Sequence, residues 1–241
     1  MNLKSSQRPS LKVNYFVKVF SAFFVFSTKL ASKTFFRTHV NWITPNENIK
    51  WSQLRVVVIL NHTSLFEPLF LSAIPNDRLW KAIDRVVVPI ADVTLSRPFV
   101  GFLIRNLVPN AIPITRKRDD SWSHFMQHLK RDNALVVIFP EGRMKRKDGL
   151  DKNGKPMSIK GGIVEILENV DSGKMLVAYS GGLHHVQAPG DLFPKLFKRI
   201  RIGFEQLDIP EYKALLNNSD SGMDYRTAVI RDLEQRMQKH C

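Results

Sequence analysis

The chain predicts an α/β fold, with a mainly parallel or mixed central sheet flanked by helices and an N-terminal helical segment suited to a membrane surface. Three observations carry this. Short, uninterrupted apolar runs alternate with helix-like segments along the chain, the pattern of a sheet covered on both faces. One of those runs, Val56–Leu60, stops at Asn61-His62 with no charged transition, and a strand's C-terminal edge is where open α/β sheets place their ligands. The N-terminal stretch interleaves lysines with phenylalanines.

In chain order, Val13–Leu30 is rich in Phe and Val but carries Lys18 and Lys29. Its longest uncharged run, Val19–Thr28, is about half the ~20 residues that a spanning helix needs, so no full transmembrane span is expected. Lys12, Lys18, Lys29, Lys33 and Arg37 alternate with Phe16, Phe20, Phe23, Phe24, Phe26, Phe35 and Phe36. That mix fits a helix in the headgroup layer, cations toward anionic lipid and rings toward acyl chains. The alternative is a terminal helix packed on its own core. No small-residue cleavage site follows the apolar segment. The polar break Pro45–Lys50 divides an N-terminal amphipathic helical segment, 1–45, from an α/β domain, 46–241.

Within that domain, strands are expected at Arg55–Leu60, Arg85–Pro89, Ala111–Ile114, Ala134–Phe139, Lys174–Ser180 and Lys198–Phe204. Helices are expected at Leu69–Ala73, Arg97–Leu107, Trp122–Lys130 and Gly162–Glu168. The last, Tyr225–Lys239, places Val229, Ile230, Leu233 and Met237 on one face.

Composition narrows the partners. With 44% hydrophobic and 24% charged residues, the 241-residue chain can bury a core as one domain. Its net charge of +14 attracts polyanions: nucleic acid, an anionic membrane surface or anionic substrates. No helix-turn-helix, zinc-finger or RNP-type signature accompanies the charge, so nucleic acid is not expected as a partner. The single cysteine, Cys241, allows no disulfide and no zinc framework, and no metal site is expected.

His62 and Glu67 are the first candidates for chemistry. On one continuous helix, five residues would set them about 140° apart. Pro68 fits a helix's first position, which leaves a loop at 63–66 and lets the two face each other. A histidine held by a carboxylate is a general base with an orienting partner. The competing reading is a plain capping box, Ser64-x-x-Glu67. Arg143–Lys160 is a basic loop directly after Phe139-Pro140-Glu141-Gly142, a place where an anion would be gripped.

Other motifs weigh less. Gly149–Lys155 matches a phosphate loop, but Pro156 replaces the residue that would hold magnesium. Ser180, in A-Y-S-G-G, loosely resembles a hydrolase nucleophile elbow and defines a rival, a lipid-directed serine hydrolase. His124 and His128 have a chelating spacing, but Phe125 stands where zinc proteases need Glu.

Asn61-His62-Thr-Ser-Leu-Phe-Glu67 resembles the N-H-x-x-x-x-D/E block of the glycerolipid (lysophosphatidic acid) acyltransferases. Phe139-Pro140-Glu141-Gly142 is similar to their F-P-E-G hallmark. Between the two, Ile112-Pro113-Ile114-Thr115-Arg116 resembles a block ending in arginine, and Ile159-Lys160-Gly161 resembles F-K-x-G. The order and spacing match across roughly residues 54–182.

The resemblance implies transfer of a fatty acyl group from acyl-CoA or acyl-carrier protein, as co-substrate, to a lysophospholipid hydroxyl. The acceptor it points to first is 1-acylglycerol-3-phosphate, with no cofactor and a place on the cytoplasmic face of a membrane, peripheral or monotopic. It makes His62 the base and Glu67 its partner. It makes Arg116, Glu141, Gly142, Arg143 and Lys160 substrate-binding, with Glu141 holding glycerol hydroxyls or orienting an arginine. The sequence departs from the family pattern in three places: Glu67 where Asp is commoner, Arg143 one position early with Met144 following, and no proline in Val177-Ala178-Tyr179. The non-enzyme rival is a basic peripheral protein that binds anionic lipid without turnover.

Overall fold

The structure, a computed structural model, describes residues 15–108, 110–115, 119–131, 133–191, 193–218 and 222–241. Seven strands form one sheet: β1 (Arg37–Trp42), β2 (Leu54–Leu60), β3 (Val86–Ala91), β4 (Asn110–Ile114), β5 (Leu135–Ile138), β6 (Lys174–Ser180) and β7 (Arg199–Asp208). Their order is β1-β7-β6-β2-β5-β3-β4. All neighbours are parallel except β6 and β7, so the sheet is mixed. The helices are α1 (Tyr15–Phe35), α2 (Asn76–Ala82), α3 (Asp92–Leu95), α4 (Pro98–Leu107), α5 (Asp120–Leu129), α6 (Gly162–Glu168), α7 (Ile209–Asn217) and α8 (Tyr225–His240).

Alternating side chains of the central strands enter different cores, as a two-sided sheet requires. Val56, Val58 and Leu60 of β2 pack with Phe125 of α5, Ile163 of α6 and Val229 and Leu233 of α8. Val57 and Ile59 face a second core with Leu69, Phe70, Leu183 and Val186. Outside that layer, α1 contributes Ala22 and Val25 to a third cluster with Leu79, Ile83 and Leu107.

Four expected strands appear within a residue or two of their expected positions, Lys174–Ser180 is reproduced, and the sixth starts one residue late. β7 runs on to Asp208 because the antiparallel partner β6 starts opposite it, Lys174 against Asp208. Leu69–Ala73 belongs to a 3-10 helix, Glu67–Ala73.

The N-terminal segment differs from expectation in two ways. Arg37–Trp42 is not helical but is edge strand β1, paired with β7 through backbone bonds that its polar, alternating sequence does not advertise. Helix α1 is 21 residues long and, by length and composition, is apolar enough to cross a membrane. Two of its three lysines also face the protein. Lys18 pairs with Asp84 at 2.9 Å, and the Lys29 ammonium donates to the Ile74 carbonyl. Ser32 donates to the Leu69 carbonyl at 2.8 Å. From its polar face α1 thus supplies donors to one carbonyl inside the 3-10 helix and one just after it. Phe16, Phe20, Phe23 and Leu30 are left facing outward.

Candidate active site

The sheet pairing brings the two main motifs together. β2 and β5 are adjacent and parallel, with Val58 opposite Ile138. The segments that follow them, Asn61–Glu67 and Phe139–Gly142, therefore leave the same sheet edge side by side. This is the crevice beyond the carboxyl ends of the strands, where such sheets bind ligands.

The chain turns at Asn61, whose φ of 64° lies in the left-handed region that Asn tolerates better than most residues. Its side-chain amide donates to the Ser180 carbonyl at 2.8 Å, fixing the turn to β6. His62 follows with Nδ1 3.2 Å from Oε1 of Glu67, and Glu67 is almost fully buried. The approach is close but is not a linear hydrogen bond. The same Glu67 oxygen accepts the backbone N–H of Thr63 at 3.0 Å and of Ser64 at 2.9 Å. The carboxylate that ties down the loop before the 3-10 helix is thus the one beside the imidazole, while the plain capping box is not formed, because the helix is capped at Phe66 without a side-chain bond. The Phe139 ring lies 4.5 Å from the His62 ring, and His62's carbonyl accepts the Lys145 N–H at 2.8 Å.

Glu141 is buried and sits behind the histidine. One carboxylate oxygen accepts the N–H of Asn61 at 2.6 Å and of His62 at 3.1 Å. Burial pushes its carboxyl above the usual range, against the pull of those two N–H groups and of His62. Through that oxygen it supports the His62 loop, and among the described residues it makes no bond to an arginine. Gly142 closes the Phe139–Gly142 turn with φ of 68°, a conformation that strains any residue with a Cβ.

A cavity of about 720 Å³ opens beside this corner. His62, Glu67, Gly142, Arg143 and Lys160 line it at one end. Val57, Ile59, Val137, Leu176 and Ala178 line it along the sheet, down to Leu54 at the start of β2. Arg143 is tethered to buried Asp151, whose other oxygen accepts the N–H groups of Asn153 at 2.7 Å and Lys155 at 3.0 Å. Lys155, Asn153 and Arg143 together hold the Asp151 carboxyl down to about 2. Arg116 lies outside the described residues; Ile114, two positions earlier, lines the cavity.

The family model described as Acyltransferase matches residues 42–179, more than half of the chain and all of this corner. The chain belongs to the acyltransferase family.

Among solved structures, this acyltransferase is similar to the 1-acyl-sn-glycerophosphate (LPA) acyltransferase PlsC from Thermotoga maritima. The TM-score is 0.58 at 18% identity, over 92% of this chain and 80% of that one. That likeness is one of fold. No curated protein matches the chain.

Among the described residues, no histidine is hydrogen-bonded to the Ser180 hydroxyl that the hydrolase reading needs. Ser180 is fully buried and its hydroxyl accepts the Gly182 N–H at 3.2 Å. His184 bonds the Lys145 carbonyl and His185 the Arg199 carbonyl. Phe139, read only as part of F-P-E-G, lies against the imidazole, and two further supports of the site escape motif reading: Lys145 against the His62 carbonyl and Asp151 against Arg143. Only the last has a local signal, the turn-forming run Asp151-Lys-Asn153-Gly154.

Proposed function

We propose that this acyltransferase moves a fatty acyl group from acyl-CoA or acyl-carrier protein to the hydroxyl of a lysophospholipid, with 1-acylglycerol-3-phosphate the first acceptor to test. The observation that carries the reading is the His62–Glu67 pair at 3.2 Å on the wall of a largely apolar cavity. An alcohol near neutral pH is a poor nucleophile and needs a base. His62 takes the acceptor's hydroxyl proton as the oxygen attacks the thioester carbonyl carbon. The C–S bond then breaks, and the proton passes from His62 to the departing thiolate. Glu67 stabilises the imidazolium between the two transfers.

The other groups have matching tasks. Arg143 and Lys160 face the acceptor's phosphate as cations at the cavity wall. The cavity lies along β2, whose six steps from Leu60 to Leu54 span about 20 Å, and C–C bonds of ~1.5 Å, each advancing about 1.3 Å along a zigzag, let a chain of about sixteen carbons lie there. Helix α1, with polar residues toward the protein and rings outward, seats the enzyme on the cytoplasmic face of a membrane, where both substrates partition.

The test is acyl transfer from each donor to a panel of lysophospholipids, with His62→Ala alongside. The variant should lose at least about a hundredfold in rate, the usual contribution of general-base catalysis. Transfer by His62→Ala at the wild-type rate would overturn the mechanism. Vesicle binding with no transfer to any acceptor would favour a lipid-binding protein without turnover.

A further inference from the structure

The segment Phe193–Phe197, between the loop after β6 and strand β7, has the wrong exposure for its composition. Phe193 is 81% exposed, Phe197 69% and Leu196 45%. Burial of such side chains is what stabilises a fold, and here three within five residues are turned to the outside. The backbone enforces this. Phe197 has φ of 59°, a left-handed conformation that a bulky aromatic rarely adopts. It is fixed there by two strong contacts: the Phe197 N–H donates to the Phe35 carbonyl at 2.7 Å, and the Arg37 N–H to the Lys198 carbonyl at 3.1 Å. Strain held by defined bonds at an exposed aromatic points to use of that aromatic.

The segment adjoins the outward face of α1. The Phe197 and Phe35 rings are 6.2 Å apart, edge to face. Leu30, Phe23 and Phe20 of α1 are exposed as well, and the Phe24 ring meets Phe102 of α4 at 6.1 Å. Around the Phe193–Phe197 end stand exposed cations: Lys33, Arg37, Lys195, Lys198 and Arg199. No acidic residue occurs from Phe193 to Arg201. Rings and leucine surrounded by lysine and arginine complement an anionic bilayer, apolar groups below the headgroups and cations among the phosphates.

We propose that Phe193–Phe197 is a second membrane-inserting element, which anchors the C-terminal half of the sheet to the same anionic phospholipid surface as α1. The proposal rests on the membrane reading of α1 given above and adds a separate contact to it. Two anchors, α1 ahead of β1 and Phe193–Phe197 ahead of its neighbour β7, fix the domain's tilt on the bilayer, where α1 alone leaves it free to rotate.

The experiment uses the full chain and vesicles of phosphatidylcholine with phosphatidylglycerol, or of phosphatidylcholine alone. A polarity-sensitive fluorophore is placed on the thiol of Phe193→Cys, and separately of Phe23→Cys, each with Cys241→Ser. Both positions should shift to the blue on the anionic vesicles and be quenched by bromine-labelled lipid. Phe193→Ser should weaken vesicle partitioning about tenfold, the effect of one buried Phe, with its melting temperature unchanged. Lys195→Glu with Lys198→Glu should weaken binding only where phosphatidylglycerol is present. A water-like signal at position 193 beside a shifted one at position 23, with Phe193→Ser binding like wild type, overturns the second anchor and leaves the membrane reading of α1 standing. No shift at either position removes both. A concentration-dependent shift at 193 without vesicles assigns the patch to a second copy of the chain and also overturns it.

Discussion

Glu67→Gln isolates the carboxylate's charge from its structural work. At 3.2 Å and an effective dielectric of about 20, an imidazolium and a carboxylate attract by about 5 kcal/mol. The His62 side chain keeps 17% of its surface exposed, so solvent screens part of that field. A loss of about 3–4 kcal/mol of transition-state stabilisation is the working value, and about 1.4 kcal/mol per tenfold makes it a drop in kcat of about 10²–10³. The amide oxygen of glutamine can still accept the Thr63 and Ser64 N–H groups, so the loop and the melting temperature should be retained. Glu67→Ala is a poorer probe. It orphans two buried donors, each costing about 1–3 kcal/mol, and mixes unfolding with lost activity. The assay is steady-state transfer to saturating acceptor, with circular-dichroism melting of the same samples. A folded Glu67→Gln whose kcat lies within about threefold of wild type would refute the role given to the charge.

Two further outcomes follow from the cavity and its cations. Val137→Phe, on the cavity wall beside β2, should shift donor preference toward shorter chains, by about fourfold in kcat/KM for each methylene excluded at ~0.8 kcal/mol per CH₂; an unchanged chain-length profile would remove the acyl chain from this cavity. Asp151→Asn should raise the acceptor KM about tenfold with little change in kcat, because Arg143 loses its charged tether while the turn at Asn153 and Lys155 keeps an acceptor oxygen. The same variant has a pH signature. The Asp151 carboxyl is depressed from its usual 3.8 to about 2, so its contribution to stability is present above pH 3.8 and lost as pH falls toward 2. The gap in melting temperature between wild type and Asp151→Asn should close across that window.

Sequence by itself determined the sheet's central strands and the identity of the two motifs. Apolar runs such as Val56–Leu60 and Met175–Tyr179 must be buried on both faces, and that need is written in composition alone. It also placed His62 and Glu67 within reach of each other, because Pro68 forces the turn between them. Tertiary structure decided what depends on neighbours distant in sequence. Strand β1 reads R-T-H-V-N-W, with no apolar run, and is a strand because β7 offers it a row of backbone partners. Glu141 reads as a substrate ligand in a motif; in the fold its carboxylate meets the N–H groups of Asn61 and His62, eighty residues earlier in the case of Asn61. The lysines of α1 read as lipid contacts by their spacing, yet Lys18 and Lys29 turn inward because Asp84 and the Ile74 carbonyl lie there. Periodicity says that a helix has two faces. Which face meets the protein is settled by the unpaired groups on the surface that it covers.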